Sequence, residues 1–263
     1  MNNIFQFDRF FKLIARGLVH RSKVIMLAAI GFMGLSLVIF LTNVLNGNEF
    51  FSLNFRANTL STTLIFMFIF SPFIFFFSVN HPKKGLTEVM LPASALEKYL
   101  VMQFFCIIIA PFLTLLFYGS IDALLATLFP RLFRGYAFVE IYNFSDFNWE
   151  SYMIFFLMQQ VFMFFNLYFV NHKLLKTFGS VMLLQIAFII LFLLSIKLVV
   201  PEVFEGDTGL KMNIKIPNGD SLLIQKGSHS AIVLEKIFRI FIDIVAPIAL
   251  IFGSYFKLKT NRY

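Results

Sequence analysis

The sequence predicts an all-α membrane protein: six transmembrane helices, an N-terminal amphipathic interfacial helix, a short cytoplasmic helix and a small extracytoplasmic β-hairpin. Two observations lead there. Hydrophobic residues make up 59% of the 263, Phe alone contributes 39, and only 14% are charged, against roughly 25% in a soluble domain. The apolar residues also gather into six runs, each close to the roughly 20 residues a helix needs to cross a bilayer.

Residues 1–23 are not a secretory signal, because Asp8, Arg9, Lys12, Arg16, Arg21 and Lys23 interrupt the apolar residues and no small-residue cleavage site follows. Phe7, Phe10, Phe11, Ile14 and Leu18 fall at helical spacing, with Arg9, Lys12 and Arg16 away from them. That pattern predicts a helix in the membrane interface, apolar face down and basic face to the headgroups; the alternative is a disordered basic tail. The spans are expected near 24–44, 58–79, 98–119, 150–170, 178–199 and 236–256, and 257–263 form a basic tail. Pro72, Pro111 and Pro247 lie inside spans two, three and six, where kinks are tolerated. The connections are Asn46–Ala57, a polar segment at 83–98, Ser120–Trp149, His172–Thr177 and Pro201–Ser230.

The segment at 83–98 is the most structured connection. Thr87 is a candidate N-cap, and Glu88 would sit at the positive end of the helix dipole. Leu86, Val89 and Met90 fall at i, i+3, i+4 and give a short helix an apolar side. Pro92 ends it, because proline biases the preceding residue out of the α region. Ser94-Ala95-Leu96-Glu97 is then a capping box that starts the next helix. The segment is either a docking surface for another protein or a plain connector.

Basic residues orient the bundle. With both termini on one side, that side carries Arg9, Lys12, Arg16, Arg21, Lys23, Lys83, Lys84, Lys98, Lys173, Lys176, Lys257, Lys259 and Arg262, which are 13 of the 22 Lys and Arg, in short segments. Short basic loops stay cytoplasmic, so both termini and 83–98 are expected inside. The net charge of +8 then reflects topology and lipid headgroups rather than nucleic acid. In the last outer loop, 201–230, Lys211–Ile216 and Ser221–Lys226 flank Pro217-Asn218-Gly219-Asp220. Asn-Gly between alternating segments is a hairpin signal.

Polar residues inside spans are suspected of function by default. Glu235, Arg239 and Asp243 follow at i, i+4 spacing, a charged ladder in span six that can neutralise itself; a structural role is expected for it rather than substrate binding. Gln159, Gln160, Asn166 and Gln185 read as interhelical hydrogen-bond glue, and Lys197 snorkels from an outer end. Cys106 reads as a buried packing residue, and the four histidines lack metal-ligand spacing. The chain has no Gly-x-x-x-x-Gly-Lys-Ser/Thr loop, no His-Glu-x-x-His and no Gly-x-Ser-x-Gly. No catalytic residue, cofactor or metal is therefore assigned to it, and any ATPase it works with is another chain.

Six spans, an N-terminal interfacial helix and the segment Gly85-Leu86-Thr87-Glu88-Val89-Met90-Leu91-Pro92-Ala93-Ser94 after span two resemble the permease subunits of bacterial ABC-2 type ABC transporters. The resemblance implies that residues 1–23 are the elbow helix. It implies that the segment around Leu91-Pro92-x-Ser94 is the coupling helix, seated in a cleft of a separate ATPase subunit that holds ATP and Mg. It further implies a homodimer or heterodimer of permease subunits in the cytoplasmic membrane, exporting a hydrophobic, lipid-like or peptide substrate. The competing expectation is a non-transporting scaffold or sensor that anchors a cytoplasmic partner.

The topology is checked by single-cysteine labelling in a Cys106→Ala background. A cysteine at Asn218 is expected to react with an impermeant reagent from the outside, and labelling only from the cytoplasmic side overturns the orientation.

Overall fold

The structure, a computed structural model, describes residues 5–47, 52–80, 93–133, 135–142, 149–199 and 236–260. The helices are α1 (Phe7–His20), α2 (Ser22–Leu45), α3 (Leu53–Phe76), α4 (Ala95–Leu128), α5 (Ala137–Tyr142), α6 (Trp149–Tyr168), α7 (Lys173–Val199) and α8 (Lys236–Thr260). No strand occurs among the described residues. Helices α2, α3, α4, α7 and α8 are long and apolar enough to cross a bilayer, and in α6 the stretch Tyr152–Tyr168 is a shorter apolar helix. The chain therefore has the make-up of a multi-pass membrane protein.

The core forms where α3, α4 and α6 meet, around Met67, Phe75, Phe76, Phe105, Cys106, Ala110, Met163 and Leu167. Cys106 is fully buried there, the packing role its neighbours in sequence predict. Helix α2 packs on the edge of this core through Val24, Ile25, Ala28 and Phe32, and α7 lies outside it. Met26, Leu27, Ile30 and Val38 on α2, and Leu175, Met182, Leu183 and Ile186 on α7, are exposed. Apolar surface on successive turns of a helix suits lipid tails rather than water.

Prolines shape three helices. Pro72 has no N–H to give the carbonyl of Phe68, and the Ser71 hydroxyl donates to that carbonyl at 3.0 Å instead. In α4 a π-helical turn, Phe105–Ile109, precedes Pro111, with the Ala110 N–H donating to the Phe105 carbonyl. In α8 a second π turn, Phe241–Val245, precedes Pro247, with the Ala246 N–H donating to the Phe241 carbonyl. Single-turn π bulges of this kind absorb a local mismatch in the hydrogen-bond ladder.

Several expected boundaries shift. Helix α4 runs 34 residues, about 51 Å at 1.5 Å per residue, so the first part of the expected connection 120–149 is helical. The expected connection 172–177 is mostly α7, which begins at Lys173 after His172 takes a left-handed φ of 51°. Lys257 and Lys259, expected in a tail, lie in the last turn of α8. The hairpin at 201–230 and most of the segment 83–98, namely 83–92, lie outside the described residues.

Helix α1 forms, and its apolar face divides between the core and the surface. Ile14 and Gly17 are buried, and Phe10 and Leu13 pack on the core, whereas Phe7 and Phe11 are exposed. Only part of the apolar face is thus free for lipid. Gly17 permits the approach: a Cβ there would lie 2.9 Å from the fully buried Phe105 ring.

At the end of the bundle that holds the start of α3, a buried ion pair fastens α3 to α4. Arg56 Nε and Nη2 donate to Asp122 Oδ1 and Oδ2 at 2.8 and 2.7 Å, the two-pronged geometry that makes such pairs strong. Arg56 Nη2 also donates to the Gly135 carbonyl at 3.1 Å, and the Ala137 N–H donates to Asp122 Oδ2 at 3.0 Å. Gly135 takes φ 75°, which favours glycine. The Phe133 ring lies 4.6 Å from the guanidinium. Removing one partner of a buried pair strands the other charge. Asp122→Asn is expected to cost about 3–5 kcal/mol, and the double variant Arg56→Met/Asp122→Leu markedly less. Thermal unfolding in detergent checks this, and equal losses would show that stranded charge is not the cause.

Candidate functional site

At the opposite end of the bundle the structure describes both roots of the segment 81–92. The front root is the C-terminus of α3. The last carbonyls of a helix lack intrahelical donors and carry the negative end of its dipole. Here three side chains from three elements serve them. Arg21 Nε, in the turn between α1 and α2, donates to the Phe75 carbonyl at 3.0 Å. Asn166 Nδ2, on α6, donates to the Phe76 carbonyl at 3.2 Å and to that of Pro72 at 2.8 Å. Lys173 Nζ, the first residue of α7, donates to the Phe77 carbonyl at 2.6 Å and to Asn166 Oδ1 at 3.2 Å. Rings support both cations: Arg21 lies 4.3 Å from the Phe76 centroid, and Lys173 lies 5.3 Å from that of Phe77. Arg21, Asn166 and Lys173 are all buried. One residue group further on, the Asn80 side-chain amide donates to the Leu167 carbonyl.

The back root is the capping box at the start of α4. The Glu97 N–H donates to Ser94 Oγ at 3.2 Å and the Ser94 N–H to Glu97 Oε2 at 2.8 Å, the reciprocal pair its sequence predicts. The other carboxylate oxygen reaches a second helix. Glu97 Oε1 accepts from the Gln6 N–H at 2.8 Å and pairs with Arg9 Nη2 at 3.0 Å. Glu97 is 0% exposed. One carboxylate therefore sits at the positive ends of α1 and α4 together. Arg9, expected to face headgroups, turns to this carboxylate instead, because a buried charge needs a partner.

The expected site residues divide accordingly. Ser94 and Glu97 are described, and Glu97 spends its oxygens inside the chain rather than on a surface. Gly85, Leu86, Thr87, Glu88, Val89, Met90, Leu91 and Pro92 lie outside the described residues, as does Glu235. Arg239 Nε and Asp243 Oδ2 are 3.7 Å apart, with the two side chains 55% and 28% exposed. This rung of the ladder is a loose contact on a helix surface.

The glue expected in α6 is present. Gln103 and Gln160 exchange amide hydrogen bonds at 2.9 and 3.1 Å, Gln103 Nε2 also donates to Tyr99 Oη at 2.7 Å, and Gln160 Nε2 donates to Gln159 Oε1 at 2.6 Å. Gln185 is exposed on α7 and takes no part in this network. Sequence reasoning missed Gln103, Arg56 and Asp122, and it read Arg21 and Lys173 only as topology charges. A signal for Arg56 and Asp122 existed. They flank neighbouring spans at the same end, two residues before one and three after the other, so their depths match. Among the described residues no group of His, Cys, Asp and Glu could hold a metal ion.

The chain matches no protein-family model, and no curated protein and no solved structure is significantly similar to it.

Glu97→Gln keeps the shape but removes the charge that holds Arg9. It is expected to cost about 1.5–3 kcal/mol, the worth of hydrogen bonds to a charged group, and to speed tryptic cleavage after Arg9, Lys12 and Arg16. Limited proteolysis in detergent reads this out. Unchanged cleavage would mean that Glu97 does not hold α1.

Proposed function

We propose that the chain is the membrane-spanning permease subunit of an ATP-driven transporter, working as an exporter, with a separate ATPase subunit docked on the segment 81–92. The single observation that carries this reading is the anchoring of both roots of that segment. Its front end leaves a helix C-terminus fastened to the α1–α2 turn, α6 and α7. Its back end enters a capping box fastened to α1. Any buried helix end needs such partners, and here they have a mechanical consequence: force on the segment passes through α3 and α4 to α1, α2, α6 and α7 without first being lost in slack.

The layout that goes with this function has six spans, with α6 as the fourth. Its 20 residues reach about 30 Å, the thickness of the hydrocarbon core. Charge supports placing the anchored end in the cytoplasm. Arg9, Arg21, Lys173 and the late-α8 Lys257, which stands over the Tyr168 ring that ends α6, all belong to it. Lys83 and Lys84 in the segment itself match an acidic rim on the partner. ATP and Mg are bound and turned over by that partner, two copies of the permease or two related chains complete the pathway, and the loop 201–230 forms an outer hairpin cap.

The contact is expected to rest on the Leu86, Val89 and Met90 face, read as anchors of a helix laid in a groove. Val89→Asp and Met90→Asp together put charge into that contact without a partner. The double variant is expected to retain its size-exclusion profile and to lose at least about tenfold of the co-purifying ATPase, a loss equivalent to about 1.4 kcal/mol. Full retention of the ATPase with full substrate-stimulated turnover would overturn the docking assignment. Co-purification of a partner without nucleotide-binding motifs would favour the scaffold reading instead.

A further inference from the structure

Two stretches in different helices share a pattern. Phe105-Cys106-Ile107-Ile108-Ile109-Ala110-Pro111 in α4 and Phe241-Ile242-Asp243-Ile244-Val245-Ala246-Pro247 in α8 carry Phe, Ile, Ala and Pro at corresponding places. In each, the residues from Phe onward form a π turn closed by the Ala N–H on the Phe carbonyl. π turns are rare, and where they occur inside α-helices they often mark functional sites. A π turn ahead of a proline also leaves the helix weak there, since the proline withholds one hydrogen bond and its ring crowds the preceding turn.

The two turns lie in helices that run in opposite directions, at adjoining depths: Tyr99 of α4 meets Tyr255 of α8, and from that level the π turns begin about 9 Å and about 15 Å toward the far end. Helix α4 starts at the anchored end, and its π turn begins ten residues in, about 15 Å along the axis. Helix α8 runs the other way, with Lys257 near the anchored end. Its π turn begins five residues from its far end, about 8 Å along the axis. The flanks of each turn are also held by different partners. Inside its turn, α4 is tied to α1 through Glu97 and to α6 through Gln103; beyond it, α4 is tied to α3 through Asp122. Ahead of its turn, α8 sets Phe238 against Phe188 and Phe192 of α7, at 5.6 and 5.2 Å. Beyond it, a Cβ on Gly253 would lie 3.1 Å from the α6 ring of Phe164, and Tyr255 meets Tyr99 at 6.2 Å.

We propose that the two π-turn-and-proline joints are paired hinges, one in each of two antiparallel helices, about which the first ten residues of α4 and the first turn of α8 swing independently of the rest of those helices. This inference does not depend on the docking of an ATPase, because it concerns the helices of this chain alone.

Pulsed electron spin resonance on the full chain in lipid nanodiscs, diluted with unlabelled chain, tests it. Cys106 is fully buried and stays in place. One label pair at Leu100 and Phe256 reports the first ten residues of α4, and another at Leu124 and Ile237 the first turn of α8; all four positions are exposed. Each pair is expected to show more than one distance population in the otherwise wild-type chain. Pro111→Ala restores the missing N–H and should abolish the minor population of the first pair only, and Pro247→Ala that of the second pair only. A single narrow distribution for both pairs without these substitutions overturns the proposal even if neither variant folds. So does a pair of variants that leave both distributions unchanged, or that alter both alike.

Discussion

The constraint on which most of this architecture depends is the C-terminus of α3. Its last carbonyls are inside the protein, where water cannot complete them, and an unpaired buried carbonyl costs free energy comparable to a lost hydrogen bond. Arg21, Asn166 and Lys173 complete them. Hydrogen bonds to a charged group contribute about 1.5–3 kcal/mol each, and here two of the three donors are cations at the negative end of a helix dipole. Satisfying one helix end therefore draws the α1–α2 turn, α6 and α7 to a single place. The core of Phe75, Phe76, Phe105, Met163 and Leu167 packs around that place.

The two ends of the bundle solve the same problem with different charges. At the far end Arg56 meets Asp122, so charge is cancelled locally and the pair adds nothing to the net charge of that end. At the anchored end the cations Arg21 and Lys173 donate to carbonyl dipoles, which carry no net charge, and Arg9 meets the Glu97 carboxylate. Arg21 and Lys173 therefore bring positive charge to that end although they are buried and bonded. An asymmetry usually attributed to exposed loops is here built partly into the helix caps.

What the sequence made legible follows the range of the interaction. The spans were legible because a run of apolar residues is sufficient evidence of itself. The Ser94–Glu97 box was legible because its two members are three residues apart. The remaining oxygen of Glu97 was not, because its partners Gln6 and Arg9 lie some ninety positions away, and this partnership ties α1 to the start of α4. Likewise the helical spacing of Phe7, Phe10, Phe11, Ile14 and Leu18 predicts the helix but not its rotation. That depends on the Arg9–Glu97 pair and on Gly17, whose missing side chain lets Phe105 in. Pro111 and Pro247 announced irregular helices without saying that each irregularity would be a π turn.

Anchors and weak turns alternate along the path from the segment 81–92 into the membrane, and their order decides where strain can go. Displacing the back root moves Glu97, and with it α1 and the first ten residues of α4 as one body, because the capping box and the Arg9 pair tie them together. The far part of α4 cannot follow freely, since Asp122 is held by Arg56, by the Ala137 N–H and by the fold around Phe133. Between these two bodies lies the π turn at Phe105–Ile109, followed by Pro111, which withholds one ladder hydrogen bond. Strain applied at one end and resisted at the other concentrates at the least well bonded turn between them. The Cys106 and Phe105 side chains buried at that turn are therefore where motion of the anchored end meets the packed core of α3 and α6.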